Sequence, residues 1–173
     1  WHIAYALVNF AHVVLIIRDH SDRSLPPEIR DLYHSRFIAL KPREFERLLK
    51  INDEVTTGPS KLLAEGETND RLFLVISGDI VVRKNGRQVD RRGPGDFIGE
   101  MSVLTGEPAS ADVTVLGSAR YCYWRLRDLE NLRTKNLPVY NRFMMIVGQN
   151  VVEKLRQLTH SSFVNEAADV RSE

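Results

Sequence analysis

Seventeen consecutive residues hold the most specific chemistry in this chain: Gly95-Asp96-Phe97-Ile98-Gly99-Glu100-Met101-Ser102-Val103-Leu104-Thr105-Gly106-Glu107-Pro108-Ala109-Ser110-Ala111. A glycine just ahead of a short helical pattern, Glu100 to Leu104, lets a ligand approach the backbone closely. The first turn of such a helix leaves N–H groups unpaired, and these favour an anion such as a phosphate. Glu100 stands at that N-terminus as an acceptor for a sugar hydroxyl. Two readings fit: a phosphate-and-sugar pocket, or an empty segment whose helix merely closes the fold.

Other chemistries find less support. Ser102, Ser110 and Ser118 have no neighbouring histidine, and no carboxylate pair is marked by spacing. Thr105-Gly106-Glu107-Pro108 reads as a turn. His2, His12, His20, His34 and His160 are scattered, with no HExxH or CxxC, so no metal site is expected. Cys122 is the single cysteine, which excludes an internal disulfide and suits a small buried hydrophobe in a strand. The expectation is a non-enzyme with no catalytic residues and no cofactor.

The elements that must position the segment follow from periodicity. From Glu28, Ile29, Leu32, Tyr33 and Phe37 recur at three- and four-residue steps, and Pro42 opens a second short helix with Phe45, Leu48 and Leu49 on its apolar face. The period then shortens. Val55 to Thr57, Lys61 to Ala64, Leu72 to Ile76, Ile80 to Lys84, Arg87 to Val89, the surroundings of Val113 and Val115, and Arg120 to Arg125 are strand candidates. Asn85-Gly86 is a hairpin signal, because both residues tolerate the positive φ of a type I′ turn. Seven or eight short strands at close spacing predict a jelly roll or barrel, mainly β with flanking helices. Past Asp128 the helical period returns, and Phe143, Val147, Val151, Leu155 and Leu158 share one side of a helix entered through Leu137-Pro138.

At this point a resemblance is plain. Leu62 to Leu129 resembles the cyclic-nucleotide-binding domain, and Gly99 to Ala111 looks like its phosphate-binding cassette: Phe-x-Gly-Glu-Met, eight further residues, then Ser-Ala before a strand. Leu72-Phe73-Leu74-Val75-Ile76-Ser77-Gly78 is similar to the family's strand and turn just ahead of it. The resemblance implies an eight-stranded jelly-roll barrel, Gly99 facing a cyclic phosphate and Glu100 binding the ribose 2′-OH. The expected ligand-binding set is Phe97, Ile98, Gly99, Glu100, Met101, Ser102, Ala109, Ser110 and Ala111. One departure matters. Ala109 stands where the family's cassette has an arginine against the phosphate, a charge-assisted hydrogen bond of about 1.5–3 kcal/mol. Arg71, Arg91, Arg92 and Arg120 are the candidates to replace it, though exposure trends place each at the surface.

A second resemblance covers more of the chain. Trp1 with Val8-Asn9 and His12, Leu32-Tyr33 through Phe45-Glu46-Arg47-Leu48-Leu49, Tyr121-Cys122-Tyr123-Trp124 with Arg127-Asp128-Leu129, and Ile146 to Leu155 are similar, in that order, to Popeye-domain proteins. That family carries a divergent cyclic-nucleotide-binding domain after three membrane helices, and binds cAMP without the cassette arginine. Gly99-Glu100-Met101 instead follows the ordinary nucleotide-binding pattern, so a bacterial Popeye-like protein fits both facts. The chain begins at Trp1, not Met, and reads as a fragment. Trp1 to Ile17 contains no Lys, Arg, Asp or Glu, and as a helix spans about 25 Å. It lacks the basic start and cleavage site of a signal peptide. A buried helix remains an alternative, but apolar residues on all sides favour the end of a transmembrane helix.

The expected organisation is therefore the C-terminal part of a transmembrane helix over 1–18, then a linker and N-terminal helices over 19–50. A β-barrel follows over 51–127 with its cassette at 97–111, then closing C-terminal helices over 128–160 and a flexible tail over 161–173. The expected function is a membrane-anchored cAMP sensor with its domain on the cytoplasmic side, signalling by helix rearrangement and as a homodimer. A ligand-free barrel serving as a protein–protein interaction module is the alternative. A transcription regulator's sensor is disfavoured, since only some 15 residues follow Leu158. Lys plus Arg total 24 against 23 Asp plus Glu, a net charge of +1, so no nucleic-acid partner is expected.

Overall fold

The computed structural model describes Leu25 and residues 27–169. Helix α1 (Pro27–Leu32) runs into a π-helical turn, Tyr33–Phe37, and α2 spans Pro42–Leu49. Eight strands follow: β1 (Asp53–Thr57), β2 (Ser60–Leu63), β3 (Arg71–Ser77), β4 (Ile80–Lys84), β5 (Arg87–Arg92), β6 (Phe97–Ile98), β7 (Asp112–Val115) and β8 (Ala119–Arg125). Between β6 and β7 lies α3 (Glu100–Thr105). Two helices close the chain, α4 (Leu126–Lys135) and the long α5 (Leu137–Asp169).

The strands form two antiparallel sheets, ordered β1-β8-β3-β6 and β2-β7-β4-β5. This is a jelly-roll arrangement, but the sheets stay unclosed, which corrects the expectation of a barrel. Asn85 (φ 52°) and Gly86 (φ 76°) make the tight β4–β5 turn that their types predict. The expected end of a transmembrane helix, 1–18, lies outside the described residues. Among the described residues no helix is long and apolar enough to cross a membrane. Helix α5 continues to Asp169, so residues 161–169 of the expected tail have helical backbone, while 170–173 lie outside the described residues.

Why β3 reads as an unbroken apolar run is now clear. Successive side chains of a strand face opposite ways, and both faces of this sheet are covered. Leu72 and Leu74 join Cys122 and Trp124 of β8 in a core against the helices, while Phe73 and Val75 join Ala119 and Tyr121 in a core facing the second sheet. The helix-side core is aromatic. Phe37, Phe45, Phe97, Trp124 and Phe143 are all fully buried, with Trp124 and Phe143 ring centroids 4.9 Å apart. The indole N–H of Trp124 donates to Leu48 O at 2.9 Å, so the one polar atom of that ring is satisfied.

Helix α5 supplies Phe143, Ile146 and Val147 to this core, and its buried stripe continues through Asn150 and Lys154. That differs from the predicted stripe. Val151 is half-buried and Leu155 is 57% exposed. A straight 3.6-residue period carries the buried line from Val147 to Asn150 and Lys154, and these are polar because they meet the polar groups described next.

Candidate functional site

The loop from β6 into α3 turns on Gly99, which has φ +80°. A Cβ there would lie 2.5 Å from Asn69 Nδ2 and 2.8 Å from Arg71 O, so both backbone sign and space require glycine. Asn69, itself buried, clamps this neighbourhood: its Nδ2 donates to Arg71 O at 2.6 Å, and its Oδ1 accepts from Arg71 N at 3.0 Å. The far end of the cassette is tied to the β2–β3 connection. Ala109 N donates to Glu67 O at 2.9 Å, and Gly66 N donates to Ala109 O at 2.8 Å.

These supports leave a cavity of about 530 Å³ between the cassette, the second sheet and α5. Eight of the nine expected site residues line it: Ile98, Gly99, Glu100, Met101, Ser102, Ala109, Ser110 and Ala111. Phe97 does not. Its ring is fully buried in the aromatic core, 6.0 Å from Phe143 by centroids, because neighbouring residues of a strand face opposite sides. Ile98 takes the cavity face and Phe97 the helix face.

The walls are apolar at Leu63, Val82, Val89 and Val113, and the closing helix adds Val151 and Leu155. Charges are few and grouped. Lys84, Asp90 and Arg92 come from the β4–β5 hairpin, Glu100 from α3 and Lys154 from α5. Arg92 is only 8% exposed and pairs with Asp90, two residues away on the same face of β5. Of the four arginines considered as replacements for a cassette arginine, Arg92 is thus the one in the cavity wall, not at the surface. Arg71 sits over the Tyr123 ring at 5.0 Å, Arg120 donates to Glu54 at 2.9 Å, and Arg91 is exposed.

Glu100 does not stand free. Its Oε1 is 2.6 Å from Lys154 Nζ, with both side chains about 10% exposed. Lys154 Nζ also donates to Phe97 O, and Phe97 N donates to Asn150 Oδ1 at 3.3 Å. Burial pushes the Lys154 ammonium below the ordinary lysine range, against the opposing pull of Glu100. Such a pair is held at a desolvation cost that its hydrogen bonds must offset. Asn150 and Lys154 escaped sequence reasoning. Their signal was spacing: two polar residues at i+3 and i+7 from Val147, continuing an apolar stripe.

Residues 60–136, a little under half of the chain, match the family model described as "Cyclic nucleotide-binding domain". Over this segment the chain is similar to a cyclic nucleotide-binding domain. The match runs from β2 to the end of α4, and so takes in the whole cassette but not α5. The chain is 29% identical over 102 residues to the Pycsar effector protein XpPycTIR of Xanthomonas perforans, covering 57% of this chain and 33% of that protein. It is 26% identical over 98 residues to a cAMP-dependent protein kinase regulatory subunit of Dictyostelium discoideum, covering 48% and 30%. The chain therefore spans about a third of the length of these curated relatives. A crystal structure of a cyclic nucleotide-binding domain from Methylobacillus flagellatus KT superposes with TM-score 0.68 at 22% identity, covering 73% of this chain and 74% of that one, which shows the shared fold. The family is typically regulatory, not catalytic.

Proposed function

We propose that this domain is a non-enzymatic sensor that binds a cyclic nucleotide, cAMP in particular, between the cassette and α5. One observation carries the reading: eight cassette residues converge on a single cavity of about 530 Å³, a size suited to a small ligand. Gly99 leaves room for the phosphate, Glu100 is the acceptor for the ribose 2′-OH, and the apolar wall of Leu63, Val82, Val89 and Leu155 suits a planar base. Ala109 brings no charge, yet the wall holds three cations (Lys84, Arg92, Lys154) against two carboxylates (Asp90, Glu100), a net +1 that matches one phosphodiester. The relative named as cAMP-dependent supports cAMP as the base choice.

Membrane anchoring through the N-terminal segment, a cytoplasmic placement and a Popeye-like relationship belong to the same proposal. They rest on the charge-free stretch Trp1 to Ile17 and the ordered motifs described above. Homodimerisation through α5 is supported by Met145 and Val152, one heptad apart and 50% and 47% exposed. A second reading, an interaction module without ligand, is favoured by the fact that Glu100 and Asp90 already have protein partners.

Titration calorimetry with cAMP and cGMP separates the two. Saturable heat with one nucleotide per domain is expected. Absence of heat and of thermal stabilisation up to millimolar nucleotide would falsify the sensor reading in favour of the module. Sedimentation of the chain as a monomer at high concentration would remove the dimer.

A further inference from the structure

We propose that Asn69 is a positioning residue of the nucleotide site: its carboxamide takes the place in the β3–β6 ladder that Glu100 would otherwise fill, and so keeps the Glu100 peptide free for the ligand's phosphate. The role rests on the reading of the cavity as a nucleotide site and names a residue outside its lining. In that ladder Val75 N donates to Asp96 O at 2.9 Å, and Phe73 stands opposite Ile98. Every second pair of an antiparallel ladder exchanges both backbone bonds, so the same register carried two residues further sets Arg71 against Glu100. The chain does not continue that way. Strand β6 ends at Ile98, Gly99 turns at φ +80°, and Glu100 opens α3. Both peptide groups of Arg71 are instead met by one side chain: Asn69 Nδ2 donates to Arg71 O at 2.6 Å, and Asn69 Oδ1 accepts from Arg71 N at 3.0 Å.

An Asx turn alone would use only the Arg71 N–H. The second bond makes the carboxamide a full stand-in for a strand peptide. It also fixes the amide's orientation, since the reverse would face donor with donor and acceptor with acceptor. Buried Asn69 fills the space beside Gly99, where a Cβ would lie 2.5 Å from its Nδ2. Without this plug the N–H and C=O of Arg71 need other partners, and the Glu100 peptide is the next in register. Pairing there would draw the start of the cassette onto the sheet and commit the Glu100 N–H to Arg71 O. Because Ala109 brings no cation, a backbone N–H taken from the phosphate is a loss that no cassette cation offsets. Asn69 itself lines a second cavity of about 160 Å³ behind the cassette, whose titratable groups are Glu67, Asp70 and Arg71.

The test compares wild type, Asn69→Ala and Asn69→Asp by calorimetry with cAMP and by NMR-detected exchange of the Glu100 amide. In ligand-free Asn69→Ala that amide should exchange about tenfold more slowly, as it pairs with Arg71 O, and the folded variant should bind cAMP about tenfold more weakly. Asn69→Asp keeps the shape but sets a carboxylate against Arg71 O. A buried carboxyl in that position takes up its proton above the ordinary carboxylate range, and the neutral acid donates to Arg71 O as the amide does. Its affinity should therefore lie about tenfold below that of wild type at pH 8 and within about twofold at pH 5, each compared with wild type at the same pH. A residue that only props the fold predicts no such recovery. Wild-type affinity in folded Asn69→Ala, an unchanged Glu100 exchange rate, or an Asn69→Asp deficit equal at both pH values overturns the proposal. If Asn69→Ala does not fold, the pH profile of Asn69→Asp decides alone. Failure of wild type to bind nucleotide overturns the reading of the site, and is distinguishable from failure of the plug, which shows in ligand-free exchange.

Discussion

The two faces of the β1-β8-β3-β6 sheet and its surroundings contrast sharply in chemistry. Toward the helices lies a dry aromatic core of Phe37, Phe45, Phe97, Trp124 and Phe143. On the opposite side of the cassette strand lies a cavity whose wall holds two ion pairs, Asp90–Arg92 and Glu100–Lys154. Phe97 and Ile98 form the boundary: one ring goes to the core, the next side chain to the cavity, and the Phe97 peptide groups are gripped by Asn150 and Lys154. The core is a source of stability that no ligand can alter. The cavity contains polar groups that can change partners, and that capacity is what a sensor requires. Its position is set by the core through a single two-residue strand.

Removing the central ring should break the comparison on its stable side. Trp124→Ala deletes a fully buried indole and its hydrogen bond to Leu48 O, and should lose about 3–5 kcal/mol in chemical denaturation. Any loss of nucleotide affinity should vanish under conditions where the variant is fully folded.

On the cavity side, Gly99→Ala forces a Cβ against Asn69 Nδ2 and Arg71 O at φ +80° and should cost about 1–3 kcal/mol. Because the displaced backbone is that of the cassette itself, affinity for cAMP should fall at least about tenfold, measured by calorimetry on the folded variant. Wild-type affinity in Gly99→Ala would disprove a phosphate position at this loop.

Phe97 tests the boundary. Phe97→Leu keeps both backbone contacts while thinning the aromatic core, so about 1–2 kcal/mol of stability should go with nucleotide affinity changed by less than about threefold. A large affinity loss would return Phe97 to the binding set.

Cys122 reports on the dryness of the core without altering it. Burial pushes its thiol up to about 12, with the Glu54 charge adding to the effect. The folded state therefore holds a proton that the unfolded chain gives up at lower pH. The associated stability is complete below the ordinary thiol range and is lost as pH rises toward 12, by about 1 kcal/mol at pH 10. Cys122→Ala should flatten that part of the stability–pH curve, and native protein at pH 8 should resist maleimide labelling.

The smallest effect is expected at the solvent rim. Asp112 Oδ1 accepts from Glu65 N–H and Lys61 Nζ, both at 3.0 Å, and these contacts hold its carboxyl below the usual range. Its stabilisation is present above the ordinary carboxylate range and is lost as pH falls through the lowered value. Asp112→Asn should remove this slight acid sensitivity, visible in melting temperatures between neutral pH and pH 3, and leave the cavity intact.

Much of this was written locally. The β4–β5 hairpin follows from Asn85-Gly86, α2 from Pro42, and the cassette from a glycine, a carboxylate and a short helical pattern at fixed spacing. Such features depend on residues a few positions apart, whose steric and hydrogen-bonding preferences act before any packing. The direction each side chain faces was harder to see. Phe97 and Ile98 are both apolar, and only the placement of β6 between two covered faces assigns one to each. Arg92 belongs to a type usually exposed, yet its strand brings it into the wall beside Asp90.

By itself the sequence determined the kinds of elements, their order and the motif that marks the cassette, because torsional preference, turn chemistry and hydrophobic period are local properties. Tertiary structure alone decided that the sheets stay open, that Phe97 leaves the cavity, and that Lys154 meets Glu100 across 54 positions of chain. Long-range partners are chosen by which surfaces come together once water is excluded, and no local pattern in either partner encodes that meeting.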